Sequence, residues 1–116
     1  MEIWHNPRCS KSRQALALIE ERGEQPQVRR YLDDPPSAAE LDEVLTALGL
    51  EPWDVARLGE ARAKELGLRG MERDRDAWIE VLVADPILIE RPIVIADDGR
   101  AVLGRPPEDV LGLLRP

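Results

Sequence analysis

The chain of 116 residues has one cysteine, and the residues around it are those whose types and spacing can do chemistry. Cys9 lies in the stretch HNPRCSKSR, residues 5–13, two positions after a proline. A free thiol has a pKa of about 8.5 and is mostly protonated at neutral pH, so a nucleophilic cysteine needs positive charge nearby. Arg8, Lys11 and Arg13 supply charge, and the free N–H groups of a predicted helix start supply hydrogen bonds. The stretch therefore predicts an activated thiol beside a position where an oxyanion can bind.

Two known arrangements of catalytic thiols are excluded by counting onward from Cys9. Phosphatases of the thiol type carry an arginine at the sixth position after the cysteine, and here that position is Ala15. Disulfide oxidoreductases carry a second cysteine at the third position, and here that position is Ser12. A zinc site is not expected either, since one cysteine and one histidine are too few ligands. If Cys9 reacts, a thiol from another molecule must complete the reaction.

Both Cys9 and His5 also have a structural interpretation. A lone cysteine in a globular domain is commonly an inert buried residue, although a basic turn before a helix is an unusual place for one. His5 fits a hydrogen bond at the end of a strand as well as it fits a role at the thiol. We therefore treat Cys9 as a candidate nucleophile and leave His5 open between the two roles.

The elements that position Cys9 begin with a strand, a helix and a second strand. Residues 2–5 carry two large apolar side chains between polar ones and stop at Asn6-Pro7, which indicates a short strand and a turn. Residues 12–20 have the apolar spacing of a helix, with Gly23 as its stop. Residues 27–32 have strand character. The first third of the chain is thus predicted to be a βαβ unit.

The middle of the chain is predicted to be helical. Ser37 and Glu40 have the spacing of a capping box, and the helix that they start is expected to end at Gly49. Its apolar stripe consists of Leu41, Val44, Leu45 and Leu48.

The segment that follows is charged and weakly periodic. Residues 53–73 are expected to hold one or two short surface helices, around Arg57 and from Ala61 to Leu66. Asp74 is expected to cap a further helix, which Asp85-Pro86 interrupts.

The last third of the chain returns to strands. Residues 92–96 and 100–103, apolar apart from Arg100, are joined by Asp97-Asp98-Gly99, a strong signal for a hairpin. A closing helix is expected from Pro107 through Leu114. The sum is a βαβ half, a helical middle and a ββα half. This pattern predicts an α/β protein with a four-stranded mixed sheet and helices on its faces.

Composition and charge limit the classes of function. The length suits a single domain, residues 1–116, and no apolar run approaches the 18 or so residues that span a membrane. The net charge of −7 argues against nucleic acid as a partner, because that affinity comes mainly from neutralised phosphates. No signal peptide is recognisable, so the expected location is the cytoplasm, with no membrane partner.

Four segments in register resemble the glutaredoxin-dependent arsenate reductases of the thioredoxin-like superfamily. Each segment alone is a weak signal, whereas four in the family's order, running nearly end to end, are a strong one. The segments are WHNPRCSKSR at residues 4–13, KELGL at residues 64–68, PILIERPIV at residues 86–94 and GRPPE at residues 104–108.

The resemblance implies a thioredoxin-like fold in which the βαβ and ββα halves form the sheet, with a helical insertion at about residues 37–85. It also implies that Cys9 attacks arsenate and that His5 and Ser12 stabilise its thiolate. Pro92 matches the cis-proline that faces the active-site cysteine in this fold.

Arginines are implied as the groups that bind the anion. Arg91 and Arg105 match two of the family's arginines and Arg57 the third, with Arg62 as the competing candidate for that third position. Guanidinium groups bind tetrahedral oxyanions bidentately, and the proline after Arg91 and after Arg105 stiffens the backbone at each. Two further candidates for the anion site are Arg8 and Arg13.

The resemblance implies arsenate as substrate, glutathione as co-substrate, glutaredoxin as protein partner, and no bound cofactor or metal. Because Ser12 cannot close an internal disulfide, the single cysteine favours this external-thiol route. Two alternatives stay open: an Spx-like regulator that binds RNA polymerase, and a generic glutathione-dependent thiol oxidoreductase. Ser12 in place of a second cysteine argues against redox sensing of the Spx type.

Overall fold

The computed structural model describes residues 1–114, and the chain groups into two compact units. One unit is formed by residues 1–34 with the chain from Arg91 onward, and the other by residues 35–90. The predicted helical insertion, at about residues 37–85, falls within the second unit. Among the described residues, none of the helices has the length and apolar character needed to cross a membrane. The expectation of a single domain stays a prediction.

The first unit is built on a four-stranded mixed sheet, as predicted. Its strands are β1 (Glu2–Trp4), β2 (Gln27–Arg29), β3 (Ile93–Ile95) and β4 (Ala101–Leu103), in the order β2-β1-β3-β4. In this sheet β1 runs parallel to β2 and antiparallel to β3, and β3 runs antiparallel to β4. Helix α1 (Ser10–Glu21) connects the parallel pair, and Gly99 takes a positive φ of 92° in the turn between β3 and β4. The βαβ unit and the hairpin are therefore confirmed.

The core of this unit lies between the sheet and α1. A second helical segment, Pro107–Leu113, contacts α1 and is a 3-10 helix rather than the α-helix expected through Leu114. Full burial of one aliphatic side chain contributes about 1.5–3 kcal/mol, so the apolar cluster is the main source of stability here. The cluster consists of Ile3, Ala15, Ile19, Val94, Val110 and Leu113.

Helix α1 starts earlier than its apolar spacing predicted. Cys9 is its N-cap, with extended backbone angles, and the Cys9 carbonyl accepts the N–H of Arg13 at 3.0 Å. Ser10 and Lys11, both exposed, join the first turn, in which Ser12 is buried. The predicted strand 27–32 is shorter than expected, since β2 ends at Arg29 and Tyr31 turns fully into the protein interior.

The second unit contains three helices, α2 (Ala38–Leu48), α3 (Ala61–Leu66) and α4 (Arg75–Ala84). The capping box at the start of α2 is confirmed: Ser37 Oγ accepts from Glu40 N at 3.1 Å, and Glu40 Oε1 accepts from Ser37 N at 3.0 Å. Gly49 ends α2 with a φ of 70°. Asp74 is the N-cap residue of α4, as predicted, although its side chain makes no capping hydrogen bond.

One expected element of this unit is wrong: the backbone around Arg57 is not helical. Ala56 pairs with Ile89 in an isolated antiparallel bridge, and Arg57 N donates to Leu88 O at 2.7 Å. The short helical turn lies earlier, as a 3-10 helix at Pro52–Asp54. A pairing between residues more than thirty positions apart leaves no periodic signal in the local sequence.

Candidate active site

The turn before α1 holds Cys9 in place through Asn6. Asn6 is buried; its carbonyl accepts the Cys9 N–H at 3.0 Å and its Oδ1 accepts the Arg8 N–H at 3.0 Å. These two bonds give the turn a fixed shape in which Cys9 sits half-buried at the N-terminus of the helix. Our reasoning from the sequence did not assign Asn6 a role, although an asparagine before proline is a common turn signal.

The surroundings of the thiol favour its ionised form. Partial burial raises the pKa of Cys9, but the backbone N–H groups of Ser12 and Lys11 and the Arg91 guanidinium outweigh that effect and lower the pKa below its ordinary value. Hydrogen bonds and positive charge both stabilise the thiolate more than the thiol. The predicted activated thiol is thus supported by the groups that surround it.

Arg91 and Arg105 are brought together at Cys9. Arg105 Nη2 lies 3.6 Å from Cys9 Sγ, and Arg105 Nε donates to the Arg91 carbonyl at 2.8 Å. Arg91 is only 9% exposed, so its charge acts in a setting with little water to screen it. The peptide bond from Arg91 to Pro92 is cis, as the resemblance implied, and so is the bond from Arg105 to Pro106.

The geometry of this pair is suited to an anion. Two guanidinium groups converge on one sulfur, and the free N–H groups of the first turn of α1 lie beside it. Guanidinium groups keep their charge at any physiological pH and match oxyanions with paired donors. The arrangement can stabilise a thiolate and hold an oxyanion next to it.

His5 and Ser12 form a buried pair below the thiol. The Ser12 hydroxyl is fully buried, lies 2.7 Å from His5 Nδ1, and accepts the Asn6 N–H at 3.1 Å. The Ser12 hydroxyl and His5 Nδ1 share one hydrogen bond, whose donor is set by the tautomer of the imidazole. Burial, followed by the nearby charges of Arg30 and Arg13, lowers the pKa of His5, which keeps the ring neutral.

Arg8, on the turn, and Arg13, in the first part of α1, are both exposed. Arg13 Nη1 donates to the Pro7 carbonyl at 2.8 Å, so this side chain fastens the turn that carries Cys9. No described contact joins either guanidinium to the thiol. Their predicted role in substrate binding stays a prediction.

Arg57 and Arg62, the two candidates for the third anion-binding arginine, lie in the second unit. Arg57 donates from Nε to Glu60 at 3.1 Å and from Nη1 to Glu90 at 2.5 Å. Arg62 pairs with Glu65 and Asp85, and its side chain is 45% exposed against 23% for Arg57. Each of the two guanidinium groups is held by two carboxylates, so these contacts do not distinguish Arg57 from Arg62. The assignment of the third anion-binding arginine stays a prediction.

Comparisons with known proteins show which proteins this chain is similar to. The sequence profile of the ArsC family matches residues 4–113. An uncharacterized protein from the glnII region of Streptomyces viridochromogenes is 55% identical over 113 residues, which cover 95% of each chain. An arsenate reductase from Neisseria meningitidis is 45% identical over 115 residues, which cover 98% of this chain and 97% of that one. A solved structure, an arsenate reductase from Vibrio cholerae, has 46% identity and a TM-score of 0.92, covering 97% of this chain and 96% of that one.

Proposed function

Because this chain belongs to the ArsC family, we propose that it reduces arsenate to arsenite through the Cys9 thiolate, with glutathione and glutaredoxin as external reductants. One observation carries the proposal: the Arg105 guanidinium bonds the Arg91 carbonyl and reaches to 3.6 Å from Cys9 Sγ. Positive charge and N–H donors beside the sulfur favour a thiolate and can bind an oxyanion, which supports the proposal. The names of the relatives supply arsenate as the oxyanion.

The first proposed step forms a bond between sulfur and arsenic. The Cys9 thiolate attacks arsenic, and one arsenate oxygen takes up protons and leaves as water, so arsenic stays pentavalent. Arg91 and Arg105 hold the remaining oxygens and offset their negative charge. Arg57 is proposed as a third binding group because its sequence position matches that of the family's third arginine.

The second proposed step reduces arsenic. The glutathione sulfur attacks Cys9 Sγ, the bond from sulfur to arsenic breaks, and its electron pair stays on arsenic, which becomes trivalent arsenite. The two sulfur atoms are oxidised together to a mixed disulfide. A glutaredoxin thiol then attacks the glutathione sulfur of that disulfide, which returns Cys9 as a thiolate.

The supply of thiols from outside is supported by the sequence and by burial. The chain has no second cysteine, and the position three residues after Cys9 holds a serine that is fully buried and bonded to His5. A two-electron reduction by one thiol therefore needs a partner thiol from solution. A reducing compartment such as the cytoplasm suits this chemistry, because free thiols persist there.

A coupled assay tests the proposal. Purified protein is mixed with glutathione, glutaredoxin, glutathione reductase and NADPH, with arsenate present or omitted, and NADPH loss is followed. We expect consumption that requires arsenate and disappears in Cys9→Ser. NADPH loss that is the same without arsenate would point instead to a generic thiol oxidoreductase, and no loss at all would end the enzyme proposal.

A further inference from the structure

Gly104 lies directly before Arg105, and other residues pack closely against it. The residue is buried, and it does not take a positive φ. A Cβ atom added to it would lie 2.7 Å from Cγ of Pro92 and 3.0 Å from Cγ1 of Val110. Side-chain atoms essentially never approach this closely, so a larger residue forces one of these neighbours to move.

Both neighbours are held in place. Pro92 can move its Cγ by a change of ring pucker, but its Cδ, 3.4 Å from the added Cβ, is tied to the backbone nitrogen that is bonded to the Arg91 carbonyl carbon, and its carbonyl accepts the Gly104 N–H at 2.8 Å. Val110 is fully buried in the apolar cluster of the first unit. Glycine at 104 is thus required by the close approach of two fixed groups rather than by backbone conformation.

The same close approach sets the positions of both arginines at the thiol. Arg91 is covalently attached to Pro92, and Arg105 is covalently attached to Gly104. The Arg105 Nε donates to the Arg91 carbonyl at 2.8 Å, a bond that exists only if the two backbone segments keep their spacing. A displacement of Pro92 away from residue 104 would lengthen this bond and move Arg105 Nη2 away from Cys9 Sγ.

We propose that Gly104 is a positioning residue: its lack of a side chain lets residues 104 and 105 lie against Pro92 and so places the Arg91 and Arg105 guanidinium groups at the Cys9 thiol. The inference deepens the proposed function and rests on it only where arsenate is concerned. Its effect on the thiol can be measured with no arsenate present.

The test compares Gly104→Ala with a matched control, Gly112→Ala. Gly112 lies in the 3-10 helix of the same unit, and a Cβ added there meets no atom within 4 Å. Each purified protein is alkylated with iodoacetamide across a pH series. We expect Gly104→Ala to react about tenfold more slowly than wild type at neutral pH, because less of its thiol is ionised. Gly112→Ala should react like wild type.

A second comparison separates positioning from a general loss of stability. Val110→Ala removes a buried contact and lowers the melting temperature, while the spacing of Gly104 and Pro92 is left intact. We expect its thiol to react within about twofold of wild type. If Val110→Ala slows alkylation as much as Gly104→Ala does, or if Gly104→Ala reacts like wild type, the proposal is overturned.

Should Gly104→Ala fail to fold, the double variant Gly104→Ala with Val110→Ala replaces it. The double variant relieves the contact at 3.0 Å and keeps the contact with Pro92 at 2.7 Å. Slow alkylation of its thiol, relative to Val110→Ala alone, is the expected result, and equal rates would overturn the proposal.

Arsenate kinetics supply the last readout. In Gly104→Ala we expect KM for arsenate to rise by a larger factor than kcat falls, because displaced arginines weaken anion binding first. An unchanged KM together with an unchanged thiol would contradict the role. If the wild-type protein shows no arsenate turnover, the proposed function fails, and the alkylation comparison alone decides the role of Gly104.

Discussion

At the scale of single residues, the reactivity of Cys9 depends on groups far from it in sequence. Burial opposes ionisation of the thiol, and the N–H groups of Ser12 and Lys11 together with the Arg91 guanidinium reverse that effect. The helix start alone supplies partial charges, whereas Arg91 supplies a full one. The local turn and the distant arginine therefore both lower the pKa of Cys9.

Removing the charge of Arg91 tests how much this side chain lowers the pKa of Cys9. Arg91→Gln keeps a polar side chain of similar length, and we expect the Cys9 pKa to rise and alkylation at pH 7 to slow by about tenfold. A hydrogen bond to a charged group contributes on the order of 1.5 kcal/mol, which corresponds to that factor. Iodoacetamide rates across a pH series measure it. Arg100→Gln, in the exposed hairpin of the same unit, should react like wild type; equal slowing in both variants would show that Arg91 has no special part.

The lowered pKa of His5 makes the free energy of unfolding depend on pH. Its pKa is lowered from 6.5 by burial and by Arg30 and Arg13, so the folded protein binds a proton there less readily than the unfolded chain. The stability that this gives is complete above pH 6.5 and is lost as the pH falls through the lowered folded value. We expect the melting temperature to fall over this window in wild type.

The matched variant is His5→Asn, whose side-chain amide can donate to or accept from the Ser12 hydroxyl in place of Nδ1 but does not titrate. Its melting temperature should depend less on pH below 6.5 than that of wild type. Melting curves recorded at several pH values give the comparison. Identical pH dependence in the two proteins would contradict a buried neutral histidine.

At the scale of elements, the sequence predicted most of the fold where the signal is local. The capping box at Ser37, the hairpin around Gly99 and the βαβ unit were each indicated by a few neighbouring residues, and the predicted thioredoxin-like fold is confirmed by the structure and by its solved relatives. The helix expected around Arg57 was wrong, because Ala56 pairs with Ile89 instead. Long-range pairing of this kind cannot be read from periodicity.

In the candidate site, too, the sequence indicated some residues, whereas others could be identified only from the folded chain. Cys9 and its basic neighbours were evident from the turn itself, and Arg91 and Arg105 were indicated by the family resemblance. Gly104 was not identified as important for packing, since the close approach of Pro92 and Val110 exists only once the hairpin and the 3-10 helix are folded. Asn6-Pro7 was predicted to be a turn, but the three hydrogen bonds of Asn6 were not predicted, because they depend on the folded turn.

The capping box gives a prediction at this scale. Ser37→Ala removes the hydrogen bond to Glu40 N, and we expect a loss of about 1 kcal/mol in the free energy of unfolding. Urea denaturation measures it. The control is Glu43→Ala, an exposed position of the same helix, which should change stability by less than about 0.5 kcal/mol. Equal losses in the two variants would show that the cap does not stabilise α2.

At the scale of the whole molecule, charge is distributed unevenly along the chain. The protein carries a net charge of −7, whereas residues 5–13 contain three basic residues and no acidic one. Attraction of an anionic substrate must therefore come from groups close to the thiol, since charges separated by more than about 10 Å are largely screened at physiological salt. We therefore propose that the arginines near the thiol, rather than the net charge, attract the anion.

The third arginine is the part of this account that the family resemblance alone supports. We expect Arg57→Gln to raise KM for arsenate by about tenfold, the effect of losing one charged hydrogen bond. Arg62→Gln, whose side chain is more exposed, should have a KM close to that of wild type. Steady-state kinetics of the two variants decide the assignment, and the reverse result would give the role to Arg62.

The chemical state of Cys9 during one turnover tests whether arsenate is reduced through this single thiol. The protein is incubated with glutathione and arsenate but without glutaredoxin, and intact mass and arsenite are measured together. We expect one glutathione per chain, attached at Cys9, and an equal amount of arsenite. Neither product should form when phosphate replaces arsenate or when Cys9 is replaced by serine. Arsenite formed without that adduct, or an adduct formed equally without arsenate, would contradict this expectation.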